Sequence, residues 1–142
     1  MYQSIRQEVT FKAKPETIYS MLMDAKAHSA FTGGPVELMN EIGGKLSAFG
    51  GAITGINIEL VPNKRIVQMW RAGDWPEGHY STATFELTAV EAGTQLAFTQ
   101  TGVPENKYDE INKGWHEQYW DKIKAALEIK VLPTLTGLTL SC

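Results

Sequence analysis

The sequence predicts an α+β domain in which a curved antiparallel sheet of about six to seven strands wraps around one long C-terminal helix. Three observations carry this prediction: an alternating run opens the chain, short strand-like runs with compact turns fill residues 35–101, and a strongly amphipathic stretch follows. Since 142 residues suffice for one substantial core, we expect a single domain over residues 1–130 and an apolar C-terminal tail over residues 131–142.

The opening elements are a strand and two short helices. Residues 4–12 alternate apolar and polar side chains, which is typical of a strand with one buried face. "KPETIYSMLMD" then predicts a short helix, with Pro15 in the first turn, where its missing N–H costs nothing, and Glu16 beside the positive end of the helix dipole. Asp24 is expected to cap a second short helix that ends at the glycines of "HSAFTGGP".

Residues 35–101 are typical of an antiparallel meander. Their turns carry Gly, Pro and Asn, as in "GGK", "PNK" and "EAG". In "INIELV" we expect Ile56, Ile58 and Leu60 to share one face. "WRAGDWPEGHYSTATFEL", residues 70–87, is expected to be two neighbouring strands joined at a rigid Pro-Gly corner.

The last large element is predicted to be a helix from about Tyr108 to Lys130, stopped by Pro133. At about 100° per residue, its bulky side chains fall within one arc of roughly 140°. His116 lies inside that arc, so we expect it to be a buried polar group in a cavity. The arc contains Trp115, His116, Tyr119, Trp120, Ile123, Ala126 and Leu127.

Charge and composition narrow the class of protein. The net charge is -3 and no basic stripe is present, which argues against nucleic acid as a partner. The N-terminal residues contain no long apolar run and no stretch approaches the length of a membrane span, so we expect no membrane association and a cytoplasmic location. The only cysteine, Cys142, excludes an intrachain disulfide.

Motifs for catalysis or metal binding are not found. The histidines show no i, i+4 pair and have no cysteine nearby, so we expect no metal and no cofactor. No nucleophile or nucleotide-binding motif occurs, and no catalytic residue is predicted. Glu37, Glu41 and Glu59 could in principle supply an acid/base pair, but their spacing is also that of a solvated sheet face. The three histidines are His28, His79 and His116.

A sheet that wraps around a helix leaves a cavity where the two diverge, and an excess of Met and aromatic residues favours an adaptable apolar interior. The predicted lining is the set of bulky side chains on the expected concave faces, with His116; dense packing without a void is the alternative. The set is Phe31, Met39, Phe49, Ile58, Met69, Phe85, Phe98, Trp115, His116, Tyr119 and Ile123.

The loop "WPEGH" contains Trp75, Pro76, Glu77, Gly78 and His79 and is predicted to be a lid or partner-binding loop. Pro76 and Gly78 supply a rigid turn. Trp75 is expected either to plug the domain as a core anchor or to contact a partner, as exposed tryptophans at interfaces do. His79 is expected to bond a backbone carbonyl at the hairpin end.

The order of elements resembles the helix-grip fold of the START-like (SRPBCC) superfamily, which includes the birch-pollen allergen and polyketide cyclase proteins. The residues that sharpen this are a GG-x-L near Gly43, "IELVPNKRIVQMWR", "WPEGHYSTATFEL", "GTQLAFTQTGVP" and "GWHEQYWDKIKAAL". Together they resemble the activators of the heat-shock-protein-90 ATPase, specifically their C-terminal domain and its free-standing relatives. The resemblance extends from the first helix to Leu127.

The resemblance implies a non-enzymatic cavity protein that binds an apolar small molecule or a protein partner. The first alternative is a co-chaperone that stimulates a heat-shock-protein-90 ATPase, and the second is a cyclase- or hydrolase-like enzyme using cavity polar groups. Co-chaperone members carry an additional N-terminal domain for which this chain is expected to have no room. The apolar tail leaves homodimerisation open.

Overall fold

A computed structural model describes the backbone of residues 2–136 and the side chains of residues 2–128. Within these residues the chain forms seven strands and four α-helices. The strands are β1 (Tyr2–Phe11), β2 (Val36–Leu38), β3 (Lys45–Ala48), β4 (Ile53–Val61), β5 (Arg65–Ala72), β6 (Ser81–Val90) and β7 (Gly93–Pro104). The helices are α1 (Pro15–Met23), α2 (Ala25–Thr32), α3 (Tyr108–Gly114) and α4 (Asp121–Thr136).

The described part of the chain also contains three short helical turns. Two are 3₁₀ turns, at Phe49–Gly51 and Glu105–Lys107, and the third is a wide π-type turn at Trp115–Trp120 that joins α3 to α4. The predicted C-terminal helix is therefore one helical stretch with a local widening. It continues to Thr136, so the expected stop at Pro133 is wrong, and residues 137–142 of the expected tail lie outside the described residues.

One antiparallel sheet holds all seven described strands, in the order β1-β7-β6-β5-β4-β3-β2. Strands from β2 to β7 pair with their sequence neighbours, whereas β1 crosses to pair with β7 along its whole length, from Tyr2 opposite Pro104 to Phe11 opposite Thr94. This confirms the predicted curved antiparallel sheet around a C-terminal helix. The first and last strands of the sheet are thereby paired with each other.

A bulge interrupts β4 and changes which residues face inward. Its pairing with β5 shifts by one residue between Asn57 and Glu59, which leaves Ile58 as the extra residue. The expectation that Ile56, Ile58 and Leu60 share a face is therefore wrong: Ile56 and Ile58 are exposed, whereas Leu60 packs against the core. A single inserted residue is enough to reverse the alternation of inward and outward side chains.

Two buried hydrogen bonds fix the C-terminal helix on the sheet. The Trp115 indole N–H donates to Oε1 of Gln100 on β7 at 2.7 Å, and the Trp120 indole N–H donates to Oε1 of Gln7 on β1 at 2.6 Å. A displacement of the helix along the sheet would break both hydrogen bonds and leave both glutamine oxygens without a donor. Each unpaired buried polar group would cost about 1–3 kcal/mol. The two glutamines therefore set the position of the helix.

Candidate functional site

A wall of three aromatic side chains stands between the sheet and the C-terminal helix. β5 brings Trp70 to the concave face, and the helix contributes Trp115 and Tyr119. The ring centroids of Trp70 and Trp115 lie 5.6 Å apart and those of Trp115 and Tyr119 lie 4.7 Å apart. The same three side chains line two separate spaces, an inner cavity and an outer groove.

The wide turn at Trp115–Trp120 brings a fourth aromatic side chain, Trp120, beside this wall. Its i→i+5 hydrogen bonds advance each residue by less than the about 100° of an α-helix, so Trp120 returns to lie over Trp115. Their rings stack with centroids 5.6 Å apart and planes inclined by 20°. The same change of phase places His116 on the solvent side, where it is exposed. The expectation that His116 is a buried cavity group is therefore wrong.

The inner cavity has a volume of about 20 Å³, which is room for about one water molecule. The interior around it is thus almost completely filled. Its polar members are His28, Ser47, Gln68 and Tyr119, and the rest of the lining is apolar. The full lining is Leu22, His28, Val36, Leu38, Leu46, Ser47, Ala48, Ile66, Gln68, Trp70, Phe85, Trp115 and Tyr119.

His28, contributed by α2, is the buried histidine that the sequence pattern did not single out. Its Nδ1 lies 3.0 Å from the Leu22 carbonyl oxygen and its Nε2 lies 2.8 Å from the Tyr119 hydroxyl. Because a carbonyl only accepts, Nδ1 carries the hydrogen of the neutral ring, and Nε2 accepts from the tyrosine. Burial lowers the pKa of His28, more strongly than the Leu22 hydrogen bond raises it. Burial also disfavours the charged form of Tyr119 and therefore raises the pKa of its hydroxyl.

The outer groove has a volume of about 340 Å³ and is open to solvent. It runs between the 3₁₀ turn after β3 and the junction of α3 with the wide turn. Its floor is aromatic and its rim includes three exposed residues, Ala52, Glu110 and Gln118. The full lining is Phe49, Ala52, Ile53, Trp70, Glu110, Ile111, Gly114, Trp115, Gln118 and Tyr119.

One residue of the groove lining, Gly114, is a glycine within a helix. Nothing in the fold of the domain requires a glycine at this position. Its backbone is ordinary right-handed helix, at φ -61° and ψ -35°, so no special conformation requires glycine. A Cβ added there would meet no atom within 4 Å. A glycine inside a helix costs about 0.5–1 kcal/mol relative to alanine. The bare backbone at Gly114 therefore leaves space in the groove rather than relieving a clash within the domain.

Phe49, on the opposite side of the groove, carries backbone strain. Its φ is +54°, in the left-handed region that a bulky residue rarely adopts. Strain of this kind costs about 1–3 kcal/mol and clusters at binding and catalytic sites. Its ring is half-buried and lies edge-on to Tyr119, with centroids 6.5 Å apart. Both sides of the groove are thus built at a cost in stability.

The "WPEGH" loop folds onto the core. Trp75 is only 3% exposed, and its ring lies 5.5 Å from those of Trp70 and His79. Arg71 donates to the Trp75 carbonyl at 2.6 Å, and His79 Nε2 donates to the Gly102 carbonyl at 2.7 Å, the type of contact expected of it. A partner contact through the Trp75 ring is excluded by this burial. The indole acts as a core anchor, although its N–H has no partner among the described residues.

The exposed tip of this loop and Trp75 itself lie apart from the two spaces. Pro76, Glu77 and Gly78 are exposed, and no residue from Trp75 to His79 lines the cavity or the groove as the described residues define them. The loop is thus not a lid over either space in this structure.

Several predicted lining residues lie elsewhere. Met39 is 53% exposed in the turn after β2, and Ile58 is 48% exposed at the bulge of β4. Met69 faces the convex side, because β5 alternates and its inward residues are the neighbouring Gln68 and Trp70. Met39, Ile58 and Met69 are therefore wrong as cavity residues.

The remaining predicted residues are buried or half-buried on the concave side. Phe85 lines the inner cavity, Phe49 lines the groove, and Trp115 and Tyr119 line both. The others, Phe31, Phe98 and Ile123, are packed in the core, with Phe31 stacked on the His28 ring.

The suggested acidic residues do not enter either space as an acid/base pair. Glu37, Glu41 and Glu59 are exposed, and Glu59 pairs with Arg65 at 3.2 Å. The described residues bring no three His, Cys, Asp or Glu side chains within reach of one metal ion. In the part of the chain that the structure covers, no helix has both the length and the apolar character needed to cross a membrane.

The fold and the groove define an α+β helix-grip domain, in which a curved sheet holds a C-terminal helix and leaves an apolar site at their junction. The chain belongs to the family described as "Activator of Hsp90 ATPase homolog 1-like protein", which matches residues 12–128. The resemblance noted from the motifs is thereby confirmed.

Individual relatives support this assignment. The chain is 34% identical over 115 residues to the human "Activator of 90 kDa heat shock protein ATPase homolog 1", which covers 81% of this chain and 34% of that protein. It is 32% identical over 124 residues to the Dictyostelium discoideum "Activator of 90 kDa heat shock protein ATPase homolog", covering 86% and 32%. The chain therefore spans about a third of the length of the curated relatives it matches.

Solved structures agree in fold. The crystal structure of an HSP90 activator from Plasmodium falciparum matches with a TM-score of 0.79 and 30% identity, covering 90% of this chain and 96% of that one. The solution structure of the Aha1 dimer from Colwellia psychrerythraea matches with a TM-score of 0.76 and 26% identity, covering 89% and 97%.

Proposed function

We propose that this domain is a non-enzymatic binding module that contacts an Hsp90-class chaperone and takes up an apolar group of that partner in the outer groove. The observation that carries the proposal is the groove itself: about 340 Å³ of open, aromatic-floored space beside an interior that is otherwise filled. A site of this volume, lined by aromatic side chains with few polar groups, has the properties of a binding site rather than of a packing defect.

Two features support uptake of an external group. Gly114 leaves helix backbone bare where a side chain would fit, and Phe49 is held in a strained conformation on the opposite side. Neither feature improves the stability of the isolated domain. Both are accounted for if a partner group fills the space between them.

The identity of the partner is supported by the relatives. The human and Dictyostelium proteins are named as activators of a 90 kDa heat shock protein ATPase, and the Plasmodium structure is described as an HSP90 activator. The Plasmodium chain is covered over 96% of its length, so it is a structure of the same extent as this domain. A chaperone in the cytoplasm would fit the location expected from the sequence.

The test is binding to the cognate Hsp90-class chaperone, with ATP hydrolysis measured in parallel. We expect the wild-type chain to bind the immobilised chaperone and to raise its rate of hydrolysis. Gly114→Leu fills the groove from a position where the added Cβ meets nothing, and it should weaken binding by about tenfold, or about 1.4 kcal/mol. Ala125→Leu, which places the same leucine side chain on the exposed side of α4, is the control and should bind like the wild type.

Three results would contradict the proposal. One is that the wild-type chain neither binds the chaperone nor changes its ATPase rate at saturating concentration. Another is equal binding by Gly114→Leu and Ala125→Leu with both variants folded, which would move the contact away from the groove. The third is chemical turnover by the domain that persists through purification, which would support the enzyme alternative.

A second candidate is an apolar small molecule, because the groove volume lies within the range of small-ligand sites. Native mass spectrometry of protein purified from its source tests this directly, since a retained ligand adds a discrete mass. The same measurement reports the oligomeric state. Homodimerisation stays a prediction, supported by the dimer reported for the Colwellia relative.

A further inference from the structure

We propose that the group taken up in the groove belongs to a partner segment in which a bulky apolar residue is followed or preceded by a basic one, with the basic side chain bound by Glu110. This inference rests on the proposed function and specifies the chemistry of the same site. It arises from the placement of one carboxylate beside the bare backbone of Gly114.

Glu110 lies four residues before Gly114, so both face the same side of the helix. Among the described residues that line the groove, Glu110 is the only charged one. Because Gly114 has no side chain, the position four residues further along that face does not cover the carboxylate. An apolar group seated on Trp115 and Tyr119 would therefore bring its neighbouring residue within reach of Glu110.

The cations near Glu110 already have other partners. Lys107 Nζ lies 2.7 Å from the carboxylate of Asp74, and Lys113 Nζ lies 3.8 Å from that of Glu117. Glu110 forms no ion pair with any described residue. Glu110 contributes, after Asp74, to the raised pKa of Lys107, but it does so without an ion pair. Its carboxylate can therefore still pair with a cation brought by a partner, and an acidic group in the same position would be repelled.

The shape of the groove favours a peptide segment over a free amine. A small ligand is usually buried over most of its surface, whereas this groove is open along Ala52, Glu110 and Gln118. An extended segment can place one side chain on the aromatic floor, pass its own backbone over Gly114 and leave the next side chain at the rim. Glycine is a residue that permits this close approach of two backbones.

The experiment is a titration of the full chain with three blocked tetrapeptides, followed by amide chemical shifts. The probes are acetyl-Ala-Phe-Lys-Ala-amide and its analogues with Gln or Glu in place of Lys. We expect shifts at the amides of Gly114 and its neighbours, with affinity in the order Lys, Gln, Glu. Each step should be about two- to five-fold at low ionic strength, since a solvent-exposed ion pair contributes modestly, and should shrink at about 0.5 M salt.

Two variants make the charge test specific. Glu110→Gln should abolish the order while leaving the Gln peptide bound as before. Asp109→Asn removes a neighbouring exposed charge outside the groove lining and should keep the order. Equal affinity of the Lys and Glu peptides for the wild type, or loss of the order in Asp109→Asn as well, would overturn the inference while leaving chaperone binding unaffected.

The titration also separates a failure of peptide binding in the groove from a failure of chaperone binding. If none of the peptides shifts Gly114 at about 10 mM, the groove is not a peptide site and the inference is wrong. Binding of the chaperone is measured separately on the same preparation. A chain that binds the chaperone but not the peptides refutes only this inference, and one that binds the peptides but not the chaperone refutes only the proposed partner.

Discussion

The inner cavity and the outer groove lie on the same wall of Trp70, Trp115 and Tyr119, yet they are built differently. The cavity has a volume of only about 20 Å³, and both ring nitrogens of its buried His28 are hydrogen bonded. The groove keeps about 340 Å³ open and is bordered by Gly114 and a strained Phe49. The cavity side of the wall stabilises the fold, whereas the groove side contains two features that lower its stability.

The comparison shows where to look for function in a domain whose interior is full. Dense packing and satisfied hydrogen bonds are what any stable core requires. A helical glycine without a steric cause and a left-handed phenylalanine are not required by the core, and together they cost about 1.5–4 kcal/mol. Such costs are expected at functional sites, which supports the groove rather than the cavity as the proposed binding site.

Removal of the wall that the cavity and the groove share should have the largest effect. Trp115→Ala should lower the free energy of unfolding by about 3–5 kcal/mol, because it deletes a 3%-exposed indole and leaves Gln100 Oε1 without its donor. Urea unfolding followed by circular dichroism measures the loss. Trp115→Phe, which keeps most of the bulk but not the N–H, should cost about 1–3 kcal/mol. A cost below about 1 kcal/mol for the alanine variant would mean that the wall carries little of the packing energy.

The next largest loss of stability is expected on the cavity side, from substitutions in the His28–Tyr119 pair. His28→Ala should cost about 2–3 kcal/mol, since it leaves the Leu22 carbonyl and the Tyr119 hydroxyl unpaired, and Tyr119→Phe should cost about 1–2 kcal/mol. The double variant should cost less than the sum, because both changes remove the same hydrogen bond. Additive costs in denaturant unfolding would show that the two side chains do not interact.

A smaller effect on the same side is its pH dependence. Burial lowers the pKa of His28 in the folded domain, so the unfolded chain, with the ordinary value of 6.5, takes up the proton first. Stability should therefore be full above pH 6.5 and decline as the pH falls through and below that value, until the folded domain is protonated as well. Unfolding at about pH 7.5, 6.5 and 5.5 tests this. His28→Gln should remove part of the decline, whereas His116→Gln, at an exposed site, should keep it.

The smallest expected change in stability is on the groove side, at Gly114. Gly114→Ala should raise the free energy of unfolding by about 0.5–1 kcal/mol, because the new methyl group meets nothing and the helix gains propensity. Thermal unfolding with a matched Ala125→Gly control, which should lose about as much, measures it. A destabilised Gly114→Ala would indicate that the glycine serves the fold, and the contrast between the two sides of the wall would be lost.

The sequence was sufficient for the sheet, the hairpin order and the start of the C-terminal helix, because alternation and turn residues are local signals. It failed where one extra residue changes the phase. The bulge at Ile58 reverses the alternation of β4, and the wide turn moves His116 out of an arc calculated for a regular α-helix. Neither irregularity leaves a mark in the spacing of apolar residues.

The site was harder to predict than the fold for a different reason. That Gly114 leaves open space depends on how far Phe49 lies from the helix, which is a property of the packed domain. His28 was noted as one of three histidines, but its hydrogen bond with Tyr119 could not be predicted because the two residues are 91 positions apart in the sequence. The stretch "GWHEQYWDKIKAAL" did contain the useful signal, since a glycine within a predicted helix needs an explanation.

The pairing of β1 with β7 also determines when the domain can form during synthesis. β1 leaves the ribosome first, but its strand partner is about ninety residues further along the chain, and Gln7 meets Trp120 across 113 residues. Until β7 has emerged, β1 has no strand to pair with, and until the C-terminal helix has emerged, the aromatic concave face of the sheet is uncovered. Such a nascent chain exposes an apolar surface of the kind that chaperones retain. The order of synthesis therefore leaves this surface open to aggregation until residue 108 and the helix that follows it are available to cover it.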